Sequence, residues 1–152
     1  MWKDEYLIGV EHIDKQHRSL FAIVEKFASI VDAGVEENKD NILLGIKFLK
    51  EYALRHFADE EAYQKSVDYA EFDEHQAQHK AFVQTVLASE REMKASDYAE
   101  EDVRKLLKTL NVWLVFHVAN SDQKFAPNKK ETMPRVHVPQ KIRIVKGVKV
   151  RR

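Results

Sequence analysis

Ile42-Leu43-Leu44-Gly45-Ile46-Lys47-Phe48-Leu49-Lys50-Glu51-Tyr52-Ala53-Leu54-Arg55-His56-Phe57-Ala58-Asp59-Glu60 decides the fold. Ile42, Ile46, Leu49, Ala53, His56 and Glu60 recur at steps of four and three, the return period of one helical face. The stripe ends in an imidazole and a carboxylate, four residues apart and therefore one turn apart on that face. A helix does not need such an ending, because His and Glu are usually exposed and cost free energy when buried without partners.

Three further stretches repeat the design. A first helix, N-capped at Asp14 and ended by Gly34, turns His17, Leu20, Phe21, Val24, Phe27 and Val31 inward. The second helix, which holds the quoted stretch, starts near Asn38 to Asn41. The third runs from about Glu71 with His75, His79, Phe82, Val86 and Met93 on one face. The fourth opens on Asp97 and Glu100 as a capping-box-like pair and carries Val103, Leu106, Leu110, Trp113 and His117. His17 and the His75/His79 pair lie near helix starts, whereas His56/Glu60 and His117/Asp122 lie near helix ends. In an up-down-up-down bundle those are the same end. The expected fold is therefore all-α, a four-helix bundle over residues 1–126 with a basic C-terminal extension over residues 127–152.

Composition agrees. The chain has 152 residues, enough for one domain with a real core, and only 4 Gly and 3 Pro. The absence of cysteine excludes disulfides, iron-sulfur clusters and thiolate zinc sites, so any metal must take nitrogen and oxygen ligands. The start Met1-Trp2-Lys3-Asp4-Glu5-Tyr6 has no apolar leader segment, and no stretch approaches a membrane span; a soluble, cytoplasmic protein is expected.

Taken singly, a histidine on an apolar face is more often a hydrogen-bonded core residue than a ligand. Five such residues at one end of a bundle would need five sets of partners, and with Glu60 and Asp122 they make seven donors, too many for one ion and enough for two. By spacing alone Asp122 is the outlier. A five-residue step turns roughly 140° round an ideal helix, so Asp122 requires a helix end, a π-bulge or a bridging position displaced from His117. His12 and His137 fit no spacing and read as surface residues, while Phe21, Phe27, Phe82 and Trp113 are first of all core.

The combined pattern resembles the hemerythrin family, above all its bacterial branch. It consists of Ile13-Asp14-Lys15-Gln16-His17, His56-Phe57-Ala58-Asp59-Glu60-Glu61, His75-Gln76-Ala77-Gln78-His79 and Trp113-Leu114-Val115-Phe116-His117. The resemblance covers roughly residues 2–124. It implies that His75, His79 and His117 hold one iron, that His17 and His56 hold the other, and that Glu60 and Asp122 bridge the two irons (Fe2+/Fe3+) together with an oxo or hydroxo group. It also implies dioxygen as the partner, bound reversibly for storage, transport or delivery. Two departures stand out: Tyr63-Gln64 and Tyr69-Ala70 replace the Leu-Met and Tyr-Pro of many relatives, and a basic tail follows the domain.

Two rival functions are weaker. Di-iron oxidases of the ferritin-like type use mostly Glu, whereas this set has five His to two carboxylates, so binding rather than an enzyme activity is expected. A zinc hydrolase lacks its His-Glu-x-x-His motif. An oxygen or redox sensor would have to signal through the tail. Residues 129–152 hold 9 of the 25 Lys and Arg but a single acidic residue, Glu131, for a net +8; the rest of the chain keeps 16 basic against 24 acidic residues, net −8. Lys141 to Arg152 alternates apolar and cationic residues around Gly147, the pattern of a short β-hairpin or of a flexible basic extension. Its expected partner is the acidic body itself or something anionic, with no defined nucleic-acid motif. Oligomeric state is not legible, and a monomer is the default expectation.

Overall fold

The computed structural model describes residues 1–127. Among them are four long helices: α1 (Glu11–Asp32), α2 (Lys39–Ser66), α3 (Phe72–Ala95) and α4 (Glu100–Phe116). A 3-10 turn, Asp4–Tyr6, precedes α1; a π-helical turn, His117–Ser121, and a 3-10 turn, Asp122–Phe125, follow α4. α1 packs on α2 and α4, and α3 packs on the same two, which closes an antiparallel four-helix bundle. No helix of the described residues is long and apolar enough to cross a membrane. Residues 128–152, on which the expected short hairpin or basic extension, His137 and any contact of the tail with the body fall, lie outside the described residues.

Each stripe residue read from the sequence is buried, from Leu20 and Phe21 on α1 to Leu110 and Trp113 on α4. The side chains interlock into one core running the length of the bundle. A smaller apolar cluster of Ile8, Ile13, Phe125 and Ala126, with Tyr63 and Tyr69 packed against it, closes one end. That end is where the ligand candidates gather.

Two helix starts differ from expectation. α1 begins at Glu11 with Val10 as its N-cap, a residue with no side-chain acceptor. Asp14, inside the first turn, instead ties down the segment before the helix: its carboxylate accepts the backbone N–H of Ile8 at 2.8 Å and of Gly9 at 3.0 Å. At α4, Asp97 and Glu100 do not form a capping box. Asp97 (φ 54°) and Tyr98 (φ 61°) are left-handed, because they wrap the end of α3: the Tyr98 N–H reaches the Met93 carbonyl and the Asp97 N–H the Lys94 carbonyl. α4 then starts at Glu100. Asp68 (φ 50°) ends α2 with the same pair of bonds, Tyr69 N–H to Gln64 and Asp68 N–H to Lys65. Gly34, by contrast, ends α1 as expected; its φ of +125° favours glycine, and a Cβ there would strike the Glu37 carboxylate.

Candidate metal centre

All seven donors read from the sequence meet at this end of the bundle, and all are buried: His17, Glu60 and Asp122 at 0 %, the others at no more than 3 % exposure. α1 brings His17, α2 brings His56 and Glu60, and α3 brings His75 and His79. α4 runs into the π-helical turn that starts at His117. That turn resolves the position of Asp122. A π turn takes about 4.4 residues, so a five-residue step passes one full circle by only about 50° and returns Asp122 close to the face of His117.

The two carboxylates divide their oxygens. Oε1 of Glu60 lies 2.9 Å from His75 Nε2, 3.0 Å from His79 Nε2 and 3.8 Å from His117 Nε2. Oε2 lies 3.1 Å from His17 Nε2 and 3.2 Å from His56 Nε2. Asp122 repeats the division, with Oδ1 at 3.0 Å from both His75 and His117 and Oδ2 at 3.0 Å from His17. The donors thus form two groups, Glu60 with His75, His79 and His117, and Glu60 and Asp122 with His17 and His56, each compact enough to hold one metal ion.

The spacing suits a cation better than a hydrogen-bond network. Nε2 of His79 and of His117 lie 3.1 Å apart, and neighbouring donors around an ion bound at about 2.1 Å with right-angle geometry are about 3 Å apart. Among the described residues neither Asp122 oxygen makes a properly directed hydrogen bond, although three imidazole nitrogens lie 3.0 Å away. The donor set, five imidazoles and two carboxylates without sulfur, is one that iron accepts.

Outward-facing atoms fix the tautomers. Nδ1 of His56 is 2.8 Å from the amide oxygen of Gln16, which can only accept, so that nitrogen carries the proton and Nε2 keeps its lone pair for the centre. Gln16 is held in turn by donating to Asp59 at 2.7 Å. His79 Nδ1 donates to the Glu61 carboxylate at 2.8 Å, and Gln76 donates to the other Glu61 oxygen at 3.0 Å. In Asp59-Glu60-Glu61, therefore, the middle residue faces both donor groups while its neighbours orient one group each. Spacing alone assigns no role to these outer residues. The signal was there, since polar residues beside each ligand face the adjoining helices.

Electrostatics follow from the crowding. Burial lowers His17 and His75, but Asp122 and Glu60 beside them outweigh it and raise His17 to about 10 and His75 to about 9. Burial also lowers His79, which Glu60 and Glu61 more than restore. For His56 burial prevails and its pKa falls. Burial alone would raise the Glu60 carboxyl; the charge of His56 and the surrounding imidazoles hold it well below the ordinary range. Asp122 is lowered likewise, against both burial and the charge of Glu60, by His117 and His17.

Aromatic rings wall one donor group. Phe57 lies on His79 with ring centroids 4.0 Å apart and Trp113 on His117 at 4.3 Å. His12 is exposed and takes no part.

A helical bundle whose four strands of chain converge on paired imidazole–carboxylate clusters defines a metal-binding class. The chain belongs to the hemerythrin family: residues 8–128 match the family described as "Hemerythrin HHE cation binding domain". It is 32 % identical over 127 residues to a bacteriohemerythrin of Clostridium acetobutylicum, an alignment covering 82 % of this chain and 97 % of the relative. A bacteriohemerythrin of Pseudomonas aeruginosa is 31 % identical over 134 residues, 88 % of this chain and 83 % of the relative. A hemerythrin-like protein of Naegleria gruberi is 25 % identical over 124 residues, covering 82 % of this chain and 88 % of the relative.

Proposed function

We propose that the chain binds dioxygen reversibly at a pair of irons, with His75, His79 and His117 holding one, His17 and His56 the other, and Glu60 and Asp122 bridging them. A pair of irons there would supply two electrons and an open position for a diatomic ligand at the two-histidine ion. The observation that carries the reading is the division of both carboxylates between a group of three imidazoles and a group of two. The chain's own part is to hold and to exclude. Gln16 and Glu61 fix His56 and His79 with their lone pairs inward, Phe57 and Trp113 shield the imidazoles, and the cluster of Ile8, Ile13 and Phe125 keeps bulk water from the end of the bundle. A dry wall suits binding without consumption, because it keeps protons from the bound ligand.

An ultraviolet-visible spectrum of iron-loaded protein, taken in air, after oxygen removal and after its return, tests the reading. A charge-transfer band that disappears and comes back supports it. Bleaching with stoichiometric peroxide release, or zinc kept in preference to iron when iron is abundant, overturns it.

A further inference from the structure

α2 is apolar on its outer face as well as its inner one. The exposed residues between positions 43 and 55 are Leu43, Leu44, Lys47, Phe48, Glu51, Leu54 and Arg55. Four of these seven are large hydrophobics, with Leu44 at 64 %, Phe48 at 55 % and Leu54 at 54 % exposure. α1 and α3 expose no large aliphatic or aromatic side chain, and α4 exposes only Val115, at 36 %. Scattered exposed leucines are ordinary, but four large apolar side chains on three turns of one helix, set on both flanks of Lys47 and Glu51, are an unusual concentration beside the other helices of the bundle.

The order of residues along the patch indicates what covers it. At about 100° per residue, Lys47 and Glu51 lie near the middle of the exposed arc, Leu43 and Leu54 toward one edge, and Leu44, Arg55 and Phe48 toward the other. Turning a second α2 end for end about a point near residue 49 sets Lys47 of each copy against Glu51 of the other. The same rotation sets Leu43 against Leu54, lays Leu44 along the Arg55 stem, and brings the two Phe48 rings together beside the axis. Neither Lys47 nor Glu51 is ion-paired with another described residue, so both are available across such a contact. Residues 129–152 suit the patch less well, because their net +8 would meet Lys47 and Arg55 with only Glu51 to answer.

We infer that the outer face of α2 is an isologous interface, on which two copies of this chain pair through antiparallel α2 helices around Phe48, with Lys47 and Glu51 exchanging ion pairs across the axis.

Sedimentation velocity of the full chain, from micromolar to millimolar concentration, is the test. A concentration-dependent dimer is expected. Phe48→Glu should raise its dissociation constant about tenfold or more, since two carboxylates would be buried against each other where the Phe48 rings meet. Lys47→Glu should weaken the dimer by opposing two glutamates, and Lys47→Glu combined with Glu51→Lys should restore it, because the exchanged pair is equivalent under the two-fold axis. All these residues are exposed, so unchanged melting of each variant serves as the folding control. A monomer at every concentration overturns the proposal, and so does a dimer indifferent to Phe48→Glu. A full chain that stays monomeric, but dimerises once cut after Asn128, also overturns it by making the tail the occupant.

Discussion

The two halves of the candidate metal centre share both carboxylates yet differ in much of what lies behind them. His75, His79 and His117 have an anion at their back, Glu61 on His79, and aromatic planes on two of the three rings. His17 and His56 have a neutral amide, Gln16 on His56, and among the described residues no stacked aromatic plane on either ring. A carboxylate behind an imidazole makes it a stronger donor than an amide does. Under the proposed assignment, ligand number and ligand basicity point the same way: the three-histidine half would saturate and keep its ion, and the two-histidine half would hold an ion with a position to give.

The strongest way to break this contrast is to remove one ligand from each half. His56→Ala should abolish dioxygen binding while the three-histidine half keeps a metal, whereas His79→Ala should lose the ion from the half that anchors the pair. Iron content per chain, read with the oxygen-dependent spectrum, distinguishes the two. Complete and equal loss of both metals in both variants would mean that the centre forms only as a unit.

Metal removal comes next in size. Without ions the donors face one another in a dry core, so the metal-free protein should melt well below the di-iron form, by the linkage that adds roughly 2.7 kcal/mol at a hundredfold excess over the dissociation constant. His17 at about 10 and His75 at about 9 both hold protons at pH 7 in the metal-free chain. Their ion pairing with the carboxylates stabilises that form fully below pH 6.5 and is lost as pH rises through 9 to 10. Ions must displace those protons, so loading at pH 7 should release about two per chain from these residues, and affinity should fall with falling pH. An indicator dye in weakly buffered protein reads the release. No release, or equal melting temperatures with and without metal, would contradict the account.

Swapping the outer residues sharpens the comparison further. Glu61→Gln should cost about 10- to 100-fold in metal affinity, confined to the three-histidine half, and Gln16→Glu should bring the other half closer to it. Stepwise anaerobic iron titration separates the two binding events. If Glu61→Gln weakened both steps alike, the outer carboxylate would be supporting the fold in general rather than one half.

Much of this was legible from residue order, and the limits were physical. Helical period alone placed Ile42, Ile46, Leu49, Ala53, His56 and Glu60 on one face, and all six are buried. The common end of the bundle followed from where each ligand falls within its helix. Asp122 could not be placed by an ideal period, because the π-helical turn at His117–Ser121 is a local departure that spacing only hints at. Asp14 and Asp97 were read as caps because short acidic residues favour caps, but one bonds backward to Ile8 and Gly9 and the other lies in the left-handed wrap ending α3. The outer face of α2 went unremarked in the sequence because its four apolar residues read as part of an ordinary helix; only burial showed that they look outward.

The smallest effect concerns how each half is sealed. His75 lines a groove with Tyr69, Glu74, Ser121 and Lys124, whereas His17 is fully enclosed about one turn along α1 from Asp14, which ties down the N-terminal segment. Asp14→Ala would leave the Ile8 and Gly9 N–H groups without their acceptor, at a cost of about 1 to 2 kcal/mol, and would free Ile8 from its place beside Ile13. Hydrogen exchange should then rise at residues 8–17 and iron should leave the two-histidine half faster, with the His75 half nearly unchanged. Faster iron loss from both halves in equal measure would show that Asp14 stabilises the bundle as a whole and that the seal is not particular to His17.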